Sequence, residues 1–84
     1  MDSDRRQKLK KEAHDLDATL RVGKKGVESV ADELSNQLDN SEIVKVKFLR
    51  SARGMKETEE VAEELAEAAD AKLVETRGNT AVYY

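Results

Sequence analysis

The apolar residues change their spacing abruptly in the middle of this chain, and that change limits the folds that are possible. A stripe at helical spacing comes first, made of Val27, Val30, Ala31, Leu34 and Leu38. In residues 42–49 the period drops to two, and Val44, Val46 and Phe48 alternate with lysines. The first pattern predicts an amphipathic helix, and the second predicts a strand that is buried on one face.

Helix-like and strand-like segments alternate along the rest of the chain. The predicted helices cover about 4–14, 27–38 and 56–70, and the predicted strands cover 19–22, 42–49, 71–76 and 80–84. The first helix has a narrow apolar stripe of Leu9, Ala13 and Leu16. Residues 51–54 are predicted to form a loop. Residues 77–79, Arg-Gly-Asn, are predicted to form a hairpin turn in which glycine supplies a positive φ.

This order of elements predicts the fold class. Strands that alternate with helices favour parallel pairing through a crossover, and the terminal hairpin adds an antiparallel pair. We therefore expect an α/β (α+β) fold in the order α-β-α-β-α-β-β, with a small four-stranded mixed sheet packed against helices. A length of 84 residues predicts a single domain over residues 1–84.

Composition excludes several classes of function. The chain contains no cysteine and one histidine, His14, and no serine lies in a nucleophile-elbow motif. We therefore predict no catalytic residues, no metal site, no cofactor and no enzyme activity. No apolar run is long enough to cross a membrane, and the first residues have no apolar segment typical of a secretion signal. We expect a cytoplasmic, monomeric protein with no membrane contact.

Charge is segregated along the chain, although the net charge is only −3. Residues 27–44 carry five acidic side chains and no basic one, and residues 57–75 carry eight acidic side chains and one lysine. Residues 45–56 carry five basic side chains and no acidic one, and residues 1–26 carry eight basic and five acidic ones. Because binding to a polyanion depends on the local potential, an acidic average does not exclude a nucleic-acid ligand.

A glycine loop lies at the end of the first predicted strand. Gly23-Lys24-Lys25-Gly26 leads from that strand into a helix, with two lysines at its tip. The glycines permit unusual backbone conformations and a close approach by another molecule, and the following helix N-terminus has free N–H groups. The loop is a candidate phosphate-binding site, although an ordinary tight turn would have the same sequence.

Several segments together resemble one known family. They are a basic first helix that ends in Ala13-His14, residues 22–26 (VGKKG), residues 42–47 (EIVKVK) and residues 78–84 (GNTAVYY). In their order and spacing they are similar to the CRM domain (chloroplast RNA splicing and ribosome maturation), also called YhbY-like. The resemblance covers nearly the whole chain.

The resemblance implies a fold and a function. The fold would be similar to the C-terminal domain of translation initiation factor 3, and the function would be RNA binding without catalysis. Stand-alone prokaryotic members are associated with the precursor of the large ribosomal subunit, so the implied partner is ribosomal RNA or a pre-ribosomal particle. The resemblance implies RNA contact through Gly23, Lys24, Lys25 and Gly26.

The residues themselves suggest further contacts near that loop. In a parallel β-α-β unit the two strands end at the same edge of the sheet, so the basic residues after the second strand are expected near the glycine loop. These residues are Arg50, Arg53 and Lys56. Lys45 and Lys47 on the second strand, and Arg21 on the first, complete the candidate RNA-binding set. Lys45 and Lys47 would equally suit a solvated sheet face.

Two other classes of function remain open at this stage. The chain could be a protein-interaction adaptor whose acidic helices bind a basic partner, such as a ribosomal protein. It could also be a small enzyme, which would need a pocket with convergent carboxylates. The low aromatic content, 4%, favours recognition of folded RNA by shape and phosphate over base stacking.

Overall fold

A computed structural model of the chain describes residues 3–84. Its helices are α1 (Ser3–His14), α2 (Glu28–Asn40), α3 (Arg50–Arg53) and α4 (Thr58–Ala69), and its strands are β1 (Leu20–Val22), β2 (Val44–Phe48), β3 (Leu73–Arg77) and β4 (Thr80–Tyr83). The predicted mixed sheet with helices is confirmed. The short helix α3 lies where a loop was predicted, so that local prediction is wrong.

The four strands form one sheet in the order β1-β2-β4-β3. β1 pairs with β2 in parallel, whereas β4 pairs antiparallel with both β2 and β3. The parallel pair and the terminal hairpin are therefore as predicted. A register shift between Leu73 and Glu75 interrupts the β3–β4 pairing.

One face of the sheet carries the larger part of the core. Val44, Val46 and Phe48 of β2 are buried there, as their alternation predicted. They pack with buried side chains of both long acidic helices, including Leu34 of α2 and Leu65 of α4. Each helix thus buries its apolar stripe against the sheet and leaves its carboxylates in solvent.

The other face is covered by α1. Leu9 and Ala13 are buried against a smaller cluster on the sheet that includes Val74 and Val82. Arg6 fixes the helix to β3, because its Nε and Nη2 donate hydrogen bonds of 3.1 and 2.9 Å to the carbonyl of Val74. The helix ends at His14, and Leu16 beyond it is 40% exposed, so the prediction that Leu16 extends the buried stripe is wrong.

Candidate functional site

Three loops meet at one end of the sheet. The backbone N–H of Leu49 donates to the carbonyl of Val22 at 2.9 Å, and the N–H of Phe48 donates to the carbonyl of Asn79 at 2.7 Å. These bonds bring the glycine loop after β1, the start of α3 after β2 and the β3–β4 turn to the same end. The predicted proximity of the first two loops is confirmed.

The glycine loop, residues 23–26, is a closed turn with its lysines outside. The N–H of Gly26 donates to the carbonyl of Gly23 at 3.0 Å, and Gly26 has a φ of +83°. That conformation is open to glycine and strained for other residues, so Gly26 shapes the turn. Lys24 and Lys25 are both exposed.

Gly23 has a different role in this loop, since it does not adopt a positive φ. A Cβ built at Gly23 would lie 3.7 Å from Leu49 Cδ1 and 3.9 Å from Ser51 Oγ, which are ordinary van der Waals distances. The base of the glycine loop therefore lies directly against the segment that leads into α3. This proximity fixes the two basic segments relative to each other.

A groove of about 660 Å³ opens between the glycine loop, α3 and α4. Its basic lining residues are Lys25, Arg53 and Lys56, and its acidic lining residues are Glu28, Glu64 and Glu67. The structure thus brings four of the predicted site residues together, these three cations and Gly26, but it places carboxylates beside them. Arg50 is exposed in α3, outside the lining of this groove.

Lys56 already forms an ion pair with a carboxylate. Its Nζ lies 2.5 Å from Glu64 Oε1, and this hydrogen bond and charge raise the pKa of Lys56 above its ordinary value. Lys56 therefore remains a cation in this ion pair, and its charge is shared with Glu64. Lys56 contributes less to the positive potential at this end of the sheet than its charge alone predicts.

Arg53 differs from Lys56, because one of its donors has no acceptor. The side chain is half-buried, and its buried Nε has no hydrogen-bond partner among residues 3–84. A buried N–H without an acceptor costs free energy. Because this atom has almost no accessible surface, a ligand in the groove could accept from it only after the side chain shifts, and Arg53 otherwise contributes a positive charge to the lining.

The remaining candidates lie on the sheet, on the face that α1 covers in part. Lys45 pairs with Val82, whose side chain is buried under α1, and Lys47 and Arg21 lie on the same face. Lys45 Nζ donates a hydrogen bond of 3.2 Å to the carbonyl of Leu16. Lys45 thus anchors the chain that leaves α1, whereas Lys47 and Arg21 remain on the open part of the face.

One basic residue on this face was not among the predicted site residues. The sequence predicts Arg77 in the hairpin turn, but the turn consists of Gly78 and Asn79. Arg77 instead belongs to β3, where it is opposite Thr80. Gly78 has a φ of +57°, the sign that a two-residue type II′ turn requires at its first position. A glycine followed by asparagine was the signal that could have set this register.

Metal-ligand clusters and membrane-spanning helices are both absent from the part of the chain that the structure describes. Residues 3–84 contain no group of three or more histidine, cysteine, aspartate or glutamate side chains arranged to hold a metal ion. Within the same residues, no helix has both the length and the apolar character that crossing a bilayer requires.

Comparison with known proteins places the chain in a family. The model of the CRS1/YhbY (CRM) domain matches residues 1–84. The chain is 38% identical over 71 residues to the Probable RNA-binding protein MJ0652 of Methanocaldococcus jannaschii, a match that covers 84% of this chain and 53% of that protein. It is 34% identical over 77 residues to the Probable RNA-binding protein YqeI of Bacillus subtilis, covering 90% of this chain and 78% of the relative.

A solved structure agrees with the family model. The solution structure of the hypothetical protein SAV1595 from Staphylococcus aureus has a TM-score of 0.79 and 28% sequence identity, over 100% of this chain and 86% of the other. The chain spans about half the length of the archaeal relative and most of the two bacterial proteins. The sequence match and the shared fold lead to the same conclusion: this chain belongs to the CRS1/YhbY (CRM) domain family.

Proposed function

We propose that this chain is a non-catalytic RNA-binding protein that contacts structured RNA through the glycine loop and the neighbouring basic residues. The observation that carries the proposal is the packing of Gly23 against Leu49 and Ser51. Because of it, Lys25 of the loop and Arg53 of α3 line one groove. Two separate basic segments therefore present cations to the same ligand.

The chemistry of this end of the molecule suits phosphate oxygens. The side chains of Lys24 and Lys25 are exposed. Lysine carries its ammonium group on a long, flexible side chain and is a common phosphate contact. Arg53 adds a positive charge from α3 to the lining of the groove. Gly26 at the end of the turn carries no side chain, so a backbone can approach that end closely.

The relatives support RNA as the ligand, since both are named as probable RNA-binding proteins. We further propose a role in the assembly of the large ribosomal subunit, with ribosomal RNA or a pre-ribosomal particle as the partner. The acidic helices α2 and α4 lie on the opposite face from Arg21 and Lys47, and they would repel RNA from that side. The carboxylates of Glu28, Glu64 and Glu67 in the groove would in the same way confine RNA to the basic edge of the groove. This repulsion would orient the protein on its ligand.

The test is binding to purified large-subunit ribosomal RNA over a salt series. We compare the wild-type protein with a Lys24→Ala/Lys25→Ala variant and with a Lys8→Ala/Lys11→Ala variant, which removes two exposed lysines from α1. Loss of two phosphate contacts should flatten the slope of log K against log salt by roughly 1.4–1.8. We expect that change in the loop variant alone.

The other outcomes separate the alternatives. If the α1 variant loses affinity and the loop variant does not, the protein binds RNA through its first helix, and the assignment to the glycine loop is wrong. If the wild-type protein binds no RNA at any salt concentration, RNA binding itself is wrong. Capture of basic ribosomal proteins by the acidic helices would then be the function to test.

A further inference from the structure

A single row of residues crosses the whole sheet near the glycine loop. Arg21 of β1 is opposite Lys47 of β2, Lys47 is opposite Thr80 of β4, and Thr80 is opposite Arg77 of β3. Residues that are directly opposite each other lie on the same face of a sheet. Three cations therefore form one line with Thr80, perpendicular to the strands, on the α1 side.

Helix α1 leaves this row uncovered. Its buried residues contact Val74 and Val82, which lie further from the loops than the row does. Arg21 and Arg77 are exposed, and Lys47 and Thr80 are half-buried. With strands about 4.8 Å apart, the row extends about 14 Å from Arg21 to Arg77.

The charged groups of the row have no partner among the described residues. Within residues 3–84 the side chains of Arg21, Lys47 and Arg77 form no ion pair and no hydrogen bond, whereas the backbone carbonyl of Arg77 accepts a hydrogen bond of 2.8 Å from Thr80 Oγ1. The one acid within the described strands is Glu75, and its Oε2 lies 4.0 Å from His14 Nε2. Arg21 and Lys47 are moreover neighbours of like charge, an arrangement that destabilises a sheet in the absence of an anion.

The row itself carries no ring on which a base could stack. Tyr84, an aromatic side chain on this face, is half-buried against the α1 cluster at the end of the sheet away from the glycine loop. Phe48 and Tyr83 are fully buried on the opposite face, where the Tyr83 hydroxyl donates to the carbonyl of Ala62 at 2.7 Å. Sheets that read single-stranded RNA place aromatic side chains on their open face. The chemistry of this row suits phosphates and not bases.

We propose that Arg21, Lys47 and Arg77 form a track for the RNA sugar–phosphate backbone, which runs across the strands and continues the contact made by the glycine loop. This inference rests on the proposed function and deepens it. It adds Arg77 to the interface, and it removes Lys45, whose ammonium group is held by Leu16. Because phosphates carry no sequence information, contact along the track should be independent of the RNA sequence.

The test is an Arg77→Gln variant, measured against large-subunit ribosomal RNA and against a stem–loop of scrambled sequence. The matched control is Lys72→Gln, which removes one exposed positive charge just before the other end of β3. We expect Arg77→Gln to flatten the salt slope by about 0.7–0.9 on both RNAs and Lys72→Gln to leave it unchanged. Arg77→Lys should restore most of the slope because it restores the charge.

Three results would overturn the proposal. Equal slopes for Arg77→Gln and the wild type would show that Arg77 makes no phosphate contact. Equal changes for Arg77→Gln and Lys72→Gln would show an effect of net charge alone. An Arg77→Gln effect on one RNA only would indicate a base contact. If loss of Lys24 and Lys25 still weakens binding in these cases, the proposed function stands and the track alone fails.

Discussion

The two faces of the sheet differ in how completely they are covered. On one face, α2 and α4 bury a cluster that extends over β1, β2 and β4 and includes Val22, Val46 and Phe48. On the other face, α1 buries a smaller cluster built around Leu9, Val74 and the neighbouring apolar residues. The row of cations lies on this second face, beyond the residues that α1 covers.

This difference separates the larger part of the core, on one face, from the exposed cations of the row on the other. A sheet with antiparallel pairs tolerates solvent on one face, because alternate side chains point to opposite sides. Within β2, Val46 and Phe48 stabilise the core while Lys47 between them faces outward. Charge on the open face can therefore vary without loss of the packing that specifies the fold.

The largest expected effect comes from the covered face. Phe48 is fully buried there, and Phe48→Ala should lower the free energy of unfolding by about 3–5 kcal/mol through lost burial and a cavity. Domains of this length have a total stability of only about 4–13 kcal/mol, so the variant should be largely unfolded at modest urea concentrations. Urea denaturation followed by circular dichroism measures the loss.

Leu9→Ala is the comparison on the α1 face. Leu9 is also fully buried, but its cluster is smaller and lies under a single helix. We expect a loss at the lower end of the range for such substitutions, about 2–3 kcal/mol, with amide exchange accelerated mainly in α1. Equal losses, with exchange accelerated everywhere, would show that the two faces stabilise the fold to the same degree.

A smaller effect is expected at Tyr83, which is buried on the face that α2 and α4 cover. Tyr83→Phe removes the hydrogen bond to the carbonyl of Ala62 and should cost about 0.5–1.5 kcal/mol at neutral pH. Burial also raises the pKa of the Tyr83 phenol. The neutral phenol therefore stabilises the fold fully below the unfolded pKa of about 10, and this stability is lost as pH rises through the folded pKa.

The pH dependence of unfolding separates the contribution of the Tyr83 hydrogen bond from that of the raised phenol pKa. Unfolding free energies measured from pH 8 to pH 12 should fall less steeply for Tyr83→Phe than for the wild type above about pH 10. All other titratable groups are the same in the two proteins, so the difference between the two curves isolates Tyr83. Parallel curves would contradict the assignment, since they would mean that Tyr83 ionises as readily in the folded chain as in the unfolded one.

Local periodicity was sufficient to predict the core but not every boundary. The alternation in β2 and the stripe of α2 identify the core-facing side correctly, because side-chain direction follows from the backbone period alone. Within that stripe, Ala31 and Leu34 are buried, whereas Val27, Val30 and Leu38 are only half-buried. The start of α3 has no such period. Arg50–Arg53 is a single turn of helix that ends at Gly54, with a φ of +58°, and four residues are too few to show a stripe.

The candidate site depends on contacts between residues that are distant in sequence. The meeting of the glycine loop and α3 could be predicted, since it follows from a parallel β-α-β connection. The ion pair of Lys56 with Glu64 and the bond from Lys45 to Leu16 could not, because neither spacing belongs to one helix or one strand. The position of β4 between β2 and β3 likewise brings Arg77 into line with Lys47.

A substitution at Lys47 should have a small effect on stability, and its sign is opposite to that of the other substitutions. Lys47→Gln removes the like-charge pair with Arg21 and should stabilise the free protein by roughly 0.2–1 kcal/mol at low salt, while it weakens RNA binding. Lys45→Gln is the control on the same strand and face. It breaks the bond to Leu16 and should destabilise the protein slightly, with no change in the salt slope of RNA binding.

These two variants therefore test whether the charge of Lys47 serves RNA binding or the stability of the sheet. Denaturation at about 10 mM and 500 mM salt should show the benefit of Lys47→Gln at the lower concentration only, since salt screens exposed charges. If Lys47→Gln destabilises the protein as Lys45→Gln does, then Lys47 is part of the folding interactions of the sheet. If Lys47→Gln instead gains stability and loses RNA affinity, then Arg21 and Lys47 repel each other in the free protein, and a bound anion reduces that repulsion.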